Sequence, residues 1–97
     1  MSWPEYKVVL TPLTDEAQEK MGFKWADPHI GTRSKVGGSP DFLQDHEVQV
    51  CPSCGTEMTF IAQIDSIGDE MTFADVGMLY VFVCFDCFKT SAFVQSG

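Results

Sequence analysis

Apolar and polar positions along this 97-residue chain change their rhythm several times, and each change predicts a different element. "YKVVLT", Tyr6 to Thr11, is β-branched and apolar and predicts an opening strand. "LTDEAQEKMGF" then shifts to helix signals, with Thr14 as N-cap, Asp15 and Glu16 in the first turn, Lys20 late and Gly22 as the stop. That helix is two turns at most. Phe23 to Arg33, with Pro28 and Gly31, reads as loop, and "SKVGGSPDFLQD" (Ser34 to Asp45) as a turn-rich centre. Gly37 and Gly38 there permit backbone angles that a Cβ disfavours, which suits either a tight turn or a close approach to a ligand or partner. "MTFIAQI", Met58 to Ile64, predicts a buried strand, and Thr72 to Ala74 a short one. "GMLYVFV", Gly77 to Val83, is apolar throughout and predicts a central strand covered on both faces, while "TSAFVQ" closes the chain as a last strand. Strands outnumber helices. The expectation is a mostly β, small α+β fold with an antiparallel sheet.

Length and composition sharpen this to a single compact domain over 1–97. A chain of this size buries about 60–68% of its unfolded surface, so a metal or cross-link would help it. With 44% hydrophobic and 21% charged residues it is of globular type. The apolar stretch Val76 to Phe85 is about half the length that a bilayer needs. "MSWPEYK" has no basic region leading into an apolar run, so we expect a cytoplasmic protein with no membrane partner.

Charge narrows the partners. Fourteen acids face six bases, for a net −8. From Val36 to Phe88 there is no lysine or arginine, while Asp41, Asp45, Glu47, Glu57, Asp65, Asp69, Glu70, Asp75 and Asp86 all fall inside. Phosphate backbones are bound through Lys and Arg, so this region is expected to repel nucleic acid, including by a zinc-ribbon route. An acidic face steers a basic protein toward it instead.

The candidate chemistry lies in four cysteines, Cys51-x2-Cys54 and Cys84-x2-Cys87. In a reducing compartment paired Cys-x-x-Cys units point to metal in preference to disulfides. "CPSCG" has the form of a metal knuckle, its Pro opening a tight turn and its Gly able to take a left-handed conformation. "CFDCFK" lacks both, with Phe88 where Gly is expected, so this turn is strained or held by packing. Two knuckles together predict a zinc-ribbon-like site holding one zinc per chain, in preference to iron. Four thiolates leave no coordination position for water or substrate, which marks a structural ion. His29 and His46 lie in loops without a visible partner, and no nucleophile motif or phosphate loop is present, so no catalytic residue is assigned. "GDEMTFAD" groups Asp69, Glu70 and Asp75 in a solvated loop.

Taken in order, Gly22-Phe23, "SKVGGSPDFL", "CPSCGTEMTFIAQI" and "LYVFVCFDC" resemble the N-terminal half of programmed-cell-death protein 2 and its relatives, over about residues 22–94. The most specific part is the conjunction of Lys35-Val36-Gly37-Gly38, Pro40, Gln63 and the two Cys pairs. Gln63-Ile64-Asp65 and Asp75-Val76-Gly77-Met78-Leu79-Tyr80 are also similar to the bacterial YwqG-like family of unknown function. The first resemblance implies a non-enzymatic role, since those relatives are dedicated chaperones for a basic small-subunit ribosomal protein. This chain departs from the pattern in lacking the second half, and in having Asp41 and Phe42 where a small residue and Trp are usual. Small bacterial binding domains also serve as immunity proteins against basic toxins.

The expectation is therefore a zinc-stabilised domain that binds a basic protein, chaperone-like or immunity-protein-like. Gly37, Gly38, Asp41, Phe42, Asp69, Glu70 and Asp75 are its candidate partner-binding residues. The alternative is a rubredoxin-like electron-transfer or thiol-redox protein.

Overall fold

A computed structural model describes residues 3–97 of the chain. Five strands, β1 (Tyr6–Lys7), β2 (Lys35–Val36), β3 (Thr59–Asp65), β4 (Met78–Val83) and β5 (Thr90–Gln95), form one sheet in sequence order, every neighbouring pair antiparallel. The one helix among the described residues, α1 (Asp15–Lys20), is short and capped by Thr14, whose Oγ1 accepts from the Ala17 N–H at 3.0 Å. It buries no residue and does not pack on the sheet; its ties to the rest of the chain are at its C-terminal end, where Lys20 meets Glu70 and the Gly22 N–H donates to the Ile67 carbonyl at 2.9 Å. The expected mostly β fold with little helix is the observed one.

Three strand expectations change. The opening strand ends at Lys7 because its partner β2 is two residues long and runs into the Gly37–Gly38 turn. Beyond it the Val8 N–H still reaches the Ser34 carbonyl at 3.0 Å, but Val9 is 76% exposed. Thr72 to Ala74 is not a strand. Ser66 Oγ accepts from the Phe73 N–H at 2.9 Å and Thr72 Oγ1 from the Val76 N–H at 3.1 Å, which winds the segment into a turn. Ala74 and Val76 there take positive φ, 52° and 44°. Lastly, β4 is covered fully on one face alone. Met78, Tyr80 and Phe82 are buried, while Leu79, Val81 and Val83 are half-buried.

Register explains which residues make the core. Phe60 opposes Phe82, Gln63 opposes Tyr80 and Asp65 opposes Met78, with the register shifting between Phe60 and Ala62. That irregularity is a β-bulge, and it turns Gln63 and Asp65 onto the same face as Phe60. Across β4, Tyr80 opposes Phe93 and Met78 opposes Gln95. This face joins Met58, Phe60, Met78, Tyr80 and Phe82 to Cys51 and Cys84, with Phe42, Leu43 and Phe93 packed at its margin. Phe82 and Phe93 are near parallel, 5.8 Å between centroids, and Tyr80 lies 5.5 Å from Phe93. Such aromatic pairs contribute about 0.5–1.5 kcal/mol beyond their burial.

Polar side chains on that face hold the 41–47 loop. Gln63 Oε1 accepts from the Asp41 N–H at 3.0 Å, and its Nε2 donates to the Arg33 carbonyl at 2.7 Å. The Tyr80 hydroxyl donates to the Asp41 carbonyl at 2.8 Å and accepts from the Leu43 N–H at 3.1 Å. Gln95 accepts from the Gln44 N–H at 3.0 Å and donates to the Asp45 carbonyl at 2.8 Å. Three successive strands thus each contribute one rung. Among the described residues every buried side-chain nitrogen and oxygen has a partner.

The Gly37–Gly38 pair meets the chain's own N-terminal segment. Both take positive φ, 79° and 68°, and the Gly38 N–H donates to the Trp3 carbonyl at 2.8 Å. A Cβ at Gly37 would overlap the Pro4 carbonyl, so residues 3–5 are the occupant of that close approach.

Candidate metal centre

The two Cys-x-x-Cys units fold into near copies of one hairpin turn. The pairs Val50–Glu57 and Val83–Thr90 bracket them, each one residue before the first Cys and six after it. In the first, the Gly55 N–H donates to the Cys51 carbonyl at 2.9 Å and the Cys51 N–H to the Thr56 carbonyl at 2.9 Å. In the second, the Phe88 N–H donates to the Cys84 carbonyl at 2.7 Å and the Cys84 N–H to the Lys89 carbonyl at 2.8 Å. Thr56 Oγ1 donates to Asp86 across the two turns at 3.2 Å.

This repetition forces the residue after each second Cys into left-handed backbone. Gly55 meets it at φ 72° and Phe88 at φ 58°, so the strain expected from "CFDCFK" is present. Phe88 is 72% exposed and touches Phe85 edge-on at 6.4 Å, which gives it little compensating burial. Phe88→Gly is therefore expected to raise stability by about 1 kcal/mol and leave metal stoichiometry unchanged. Thermal melting of the metal-loaded pair of proteins checks this; an unchanged or lower midpoint would show that the phenyl ring contributes as much as the strain costs.

The four sulfurs converge. All lie within 4.8 Å of one another, with Cys51 to Cys87 at 3.2 Å and Cys54 to Cys84 at 3.5 Å. A tetrahedral ion with metal–sulfur bonds of about 2.3 Å holds its sulfurs about 3.8 Å apart, within the range seen here. These contacts are far longer than the roughly 2 Å of a disulfide, and all four cysteines are free. The donor set fits a metal ion. Cys51 and Cys84 are buried in the core while Cys54 and Cys87 face solvent. The site is thus half embedded.

Electrostatics at the cluster favour a bound cation. The Cys54 backbone N–H and then the Cys87 thiol draw the Cys51 thiol down to about 6. Cys87, bonded to the Cys51 sulfur, is pushed up to about 12. The Cys51 thiolate forms readily and opposes a second one on Cys87. A divalent ion between them removes that opposition.

A second polar centre, not anticipated from sequence, sits at the opposite end of β3. The Asp65 side chain is 1% exposed and takes Arg33 in a two-point pairing, Nε at 2.9 Å and a terminal nitrogen at 2.7 Å. The backbone N–H groups of Gly31 (2.7 Å) and Arg33 (2.9 Å) also donate to it. Burial alone raises its pKa, but the Arg33 guanidinium and these N–H groups outweigh burial and hold the carboxyl below the usual range. Arg33 also donates to the Val76 carbonyl at 3.0 Å, closing this end of the sheet.

The remaining candidate residues fall in separate places. Asp41 pairs with Lys35 at 3.0 Å, a buried lysine that also holds Glu5 at 2.7 Å. Phe42 packs on Tyr80 at 5.2 Å, with His46 edge-on to it at 5.1 Å. Glu70 pairs with Lys20 of α1 at 3.0 Å, and Asp69 is its exposed neighbour. Asp75 sits in the turn beside Ser96 and Gly97. Gly37 and Gly38 lie under residues 3–5. Three acids of the base-free stretch, Asp41, Asp65 and Glu70, thus take cations from outside it. Asp45, Glu47, Glu57, Asp69, Asp75 and Asp86 have none among the described residues.

Among the described residues no helix is long and apolar enough to cross a membrane. No protein-family model matches the chain, and no solved structure matches it. Among curated proteins it is similar to the uncharacterized protein YpfL of Salmonella typhimurium, 38% identical over 64 residues. Those residues are 66% of this chain and 15% of that protein, so the likeness is to one portion of a longer polypeptide.

Proposed function

We propose that this chain is a zinc-stabilised, non-enzymatic domain that binds a basic protein. The observation that carries the reading is the closed set of four sulfurs within 4.8 Å. Four soft thiolates in tetrahedral reach suit zinc, and a saturated ion holds structure instead of activating substrate. Cys51 and Cys84 belong to the core, so the ion is coupled to folding. The carboxylates left without a cation support a basic partner. Such a module can stand alone or within a larger protein. It resembles the programmed-cell-death and YwqG-like domains in its motif order, and chaperone-like or immunity-like holding of a basic client is the role that resemblance suggests.

Elemental analysis of the purified protein is expected to give one zinc per chain, with partner capture that weakens as salt rises. One iron per chain with a reversible one-electron couple would instead establish the rubredoxin-like alternative. Capture that is indifferent to salt would remove the electrostatic part of the reading.

A further inference from the structure

One surface carries both apolar depth and uncompensated charge. A groove of about 650 Å³ runs beneath the 38–49 loop, with Phe42, Phe60 and Phe82 along its floor and Glu47 and Glu57 on its rim. A second hollow of about 330 Å³ holds Trp3, Phe85 and Asp86. The two share Thr56, Glu57 and Thr59, so they adjoin there and make up a path along the surface with Glu57 at the junction.

No lysine or arginine lines either part. Glu47, Glu57 and Asp86 form no ion pair among the described residues; Glu47 meets Gln95 and Asp86 meets Thr56, both neutral. The hollow around Glu5, Lys7, Arg33, Lys35 and Asp41 offers a contrast, since basic side chains line it and both of its carboxylates already hold Lys35. At the outer end Trp3 and Phe85 stand 5.9 Å apart, 39% and 44% exposed. Aromatic faces beside carboxylates attract a guanidinium or ammonium group, and Trp does so best.

We propose that this path is the partner-binding site, and that its occupant is an extended basic segment of another protein. The segment sets an arginine or lysine against Trp3 and Phe85, between Glu57 and Asp86, and an apolar side chain over the phenyl floor. This rests on the protein-binding reading above and adds where the partner sits and what chemistry it presents.

The probe is a synthetic peptide alternating arginine with leucine, titrated at low ionic strength into the metal-loaded chain and followed by amide NMR. Shifts are expected at Thr56, Glu57, Thr59, Phe85 and Asp86. Glu57→Lys is expected to weaken binding by about tenfold or more, while Glu19→Lys on the exposed helix α1, with the same change in net charge, leaves it nearly unchanged. Equal weakening by the two variants, shifts that map elsewhere, or no binding overturns the proposal. So does a single-stranded oligonucleotide that binds in the peptide's place. The two readings fail differently. A protein client that Glu57→Lys does not release removes the site and keeps protein binding; a chain that holds neither peptide nor client removes both.

Discussion

Cys84→Ser is expected to abolish metal binding and unfold the domain. Metal binding by structural zinc sites is worth about 10–16 kcal/mol, comparable to or above the 5–15 kcal/mol by which ordinary domains are stable in total. Cys84 carries a second burden. It is 1% exposed in the core cluster and opens the β4–β5 turn, so a serine there buries a hydroxyl as well as losing a thiolate. Cys54 faces solvent, and Cys54→Ser loses the ligand alone. The order of damage is thus Cys84 worse than Cys54, read as melting midpoint and metal content together. Chelation of the unmodified protein should reproduce the Cys84→Ser state. A chelated chain that keeps its folded amide dispersion and its midpoint would show that the sheet stands without metal.

Asp65→Ala is expected to cost about 3–5 kcal/mol, because it leaves the Arg33 guanidinium partly buried and unpaired. For a domain of this size each kcal/mol moves the midpoint by about 4–8 °C, so the loss exceeds ten degrees. Removing both charges with Asp65→Leu and Arg33→Met should be milder than Asp65→Ala alone, and a double-mutant cycle measures the difference. The same pair sets an acid limit. The folded carboxyl is held below its unfolded value of about 4. Its contribution is therefore complete above that pH and is lost as pH falls through the lower, folded value. Acid melts of Asp65→Asn should lack this component. If they fall in parallel with the unmodified protein, other carboxylates govern the acid transition.

Sequence rhythm disclosed the elements better than their faces. The runs at 58–64, 77–83 and 90–95 mark β3, β4 and β5 because local apolar content and β-branching decide strand formation there. Thr14 and Lys20 similarly bracket α1, since capping is a local matter. The Phe60–Ala62 bulge was not legible. A strict alternation puts Phe60 with Ala62 and Ile64, whereas the shifted register groups it with Gln63 and Asp65. That hid the polar network, although two polar residues in so apolar a strand were a signal that something must answer them. The cysteine cluster was legible because the spacing of two knuckles is a chemical constraint. Which acids are neutralised was not, since linear charge counting ignores cations brought in by folding. Lys20, Arg33 and Lys35 neutralise Glu70, Asp65 and Asp41 from outside the base-free stretch.

The rungs from Gln63, Tyr80 and Gln95 grip the 41–45 segment by its main-chain N–H and C=O groups, with five such bonds to Asp41, Leu43, Gln44 and Asp45. Main-chain atoms are the same whatever residue bears them. The path of this segment is consequently uncoupled from most of the side chains it displays. Gln44 and Asp45 can be exchanged without disturbing the grip, while Phe42 and Leu43 remain tied to the core. Such a segment is free to diversify: one frame can present different outward chemistry at little cost to folding.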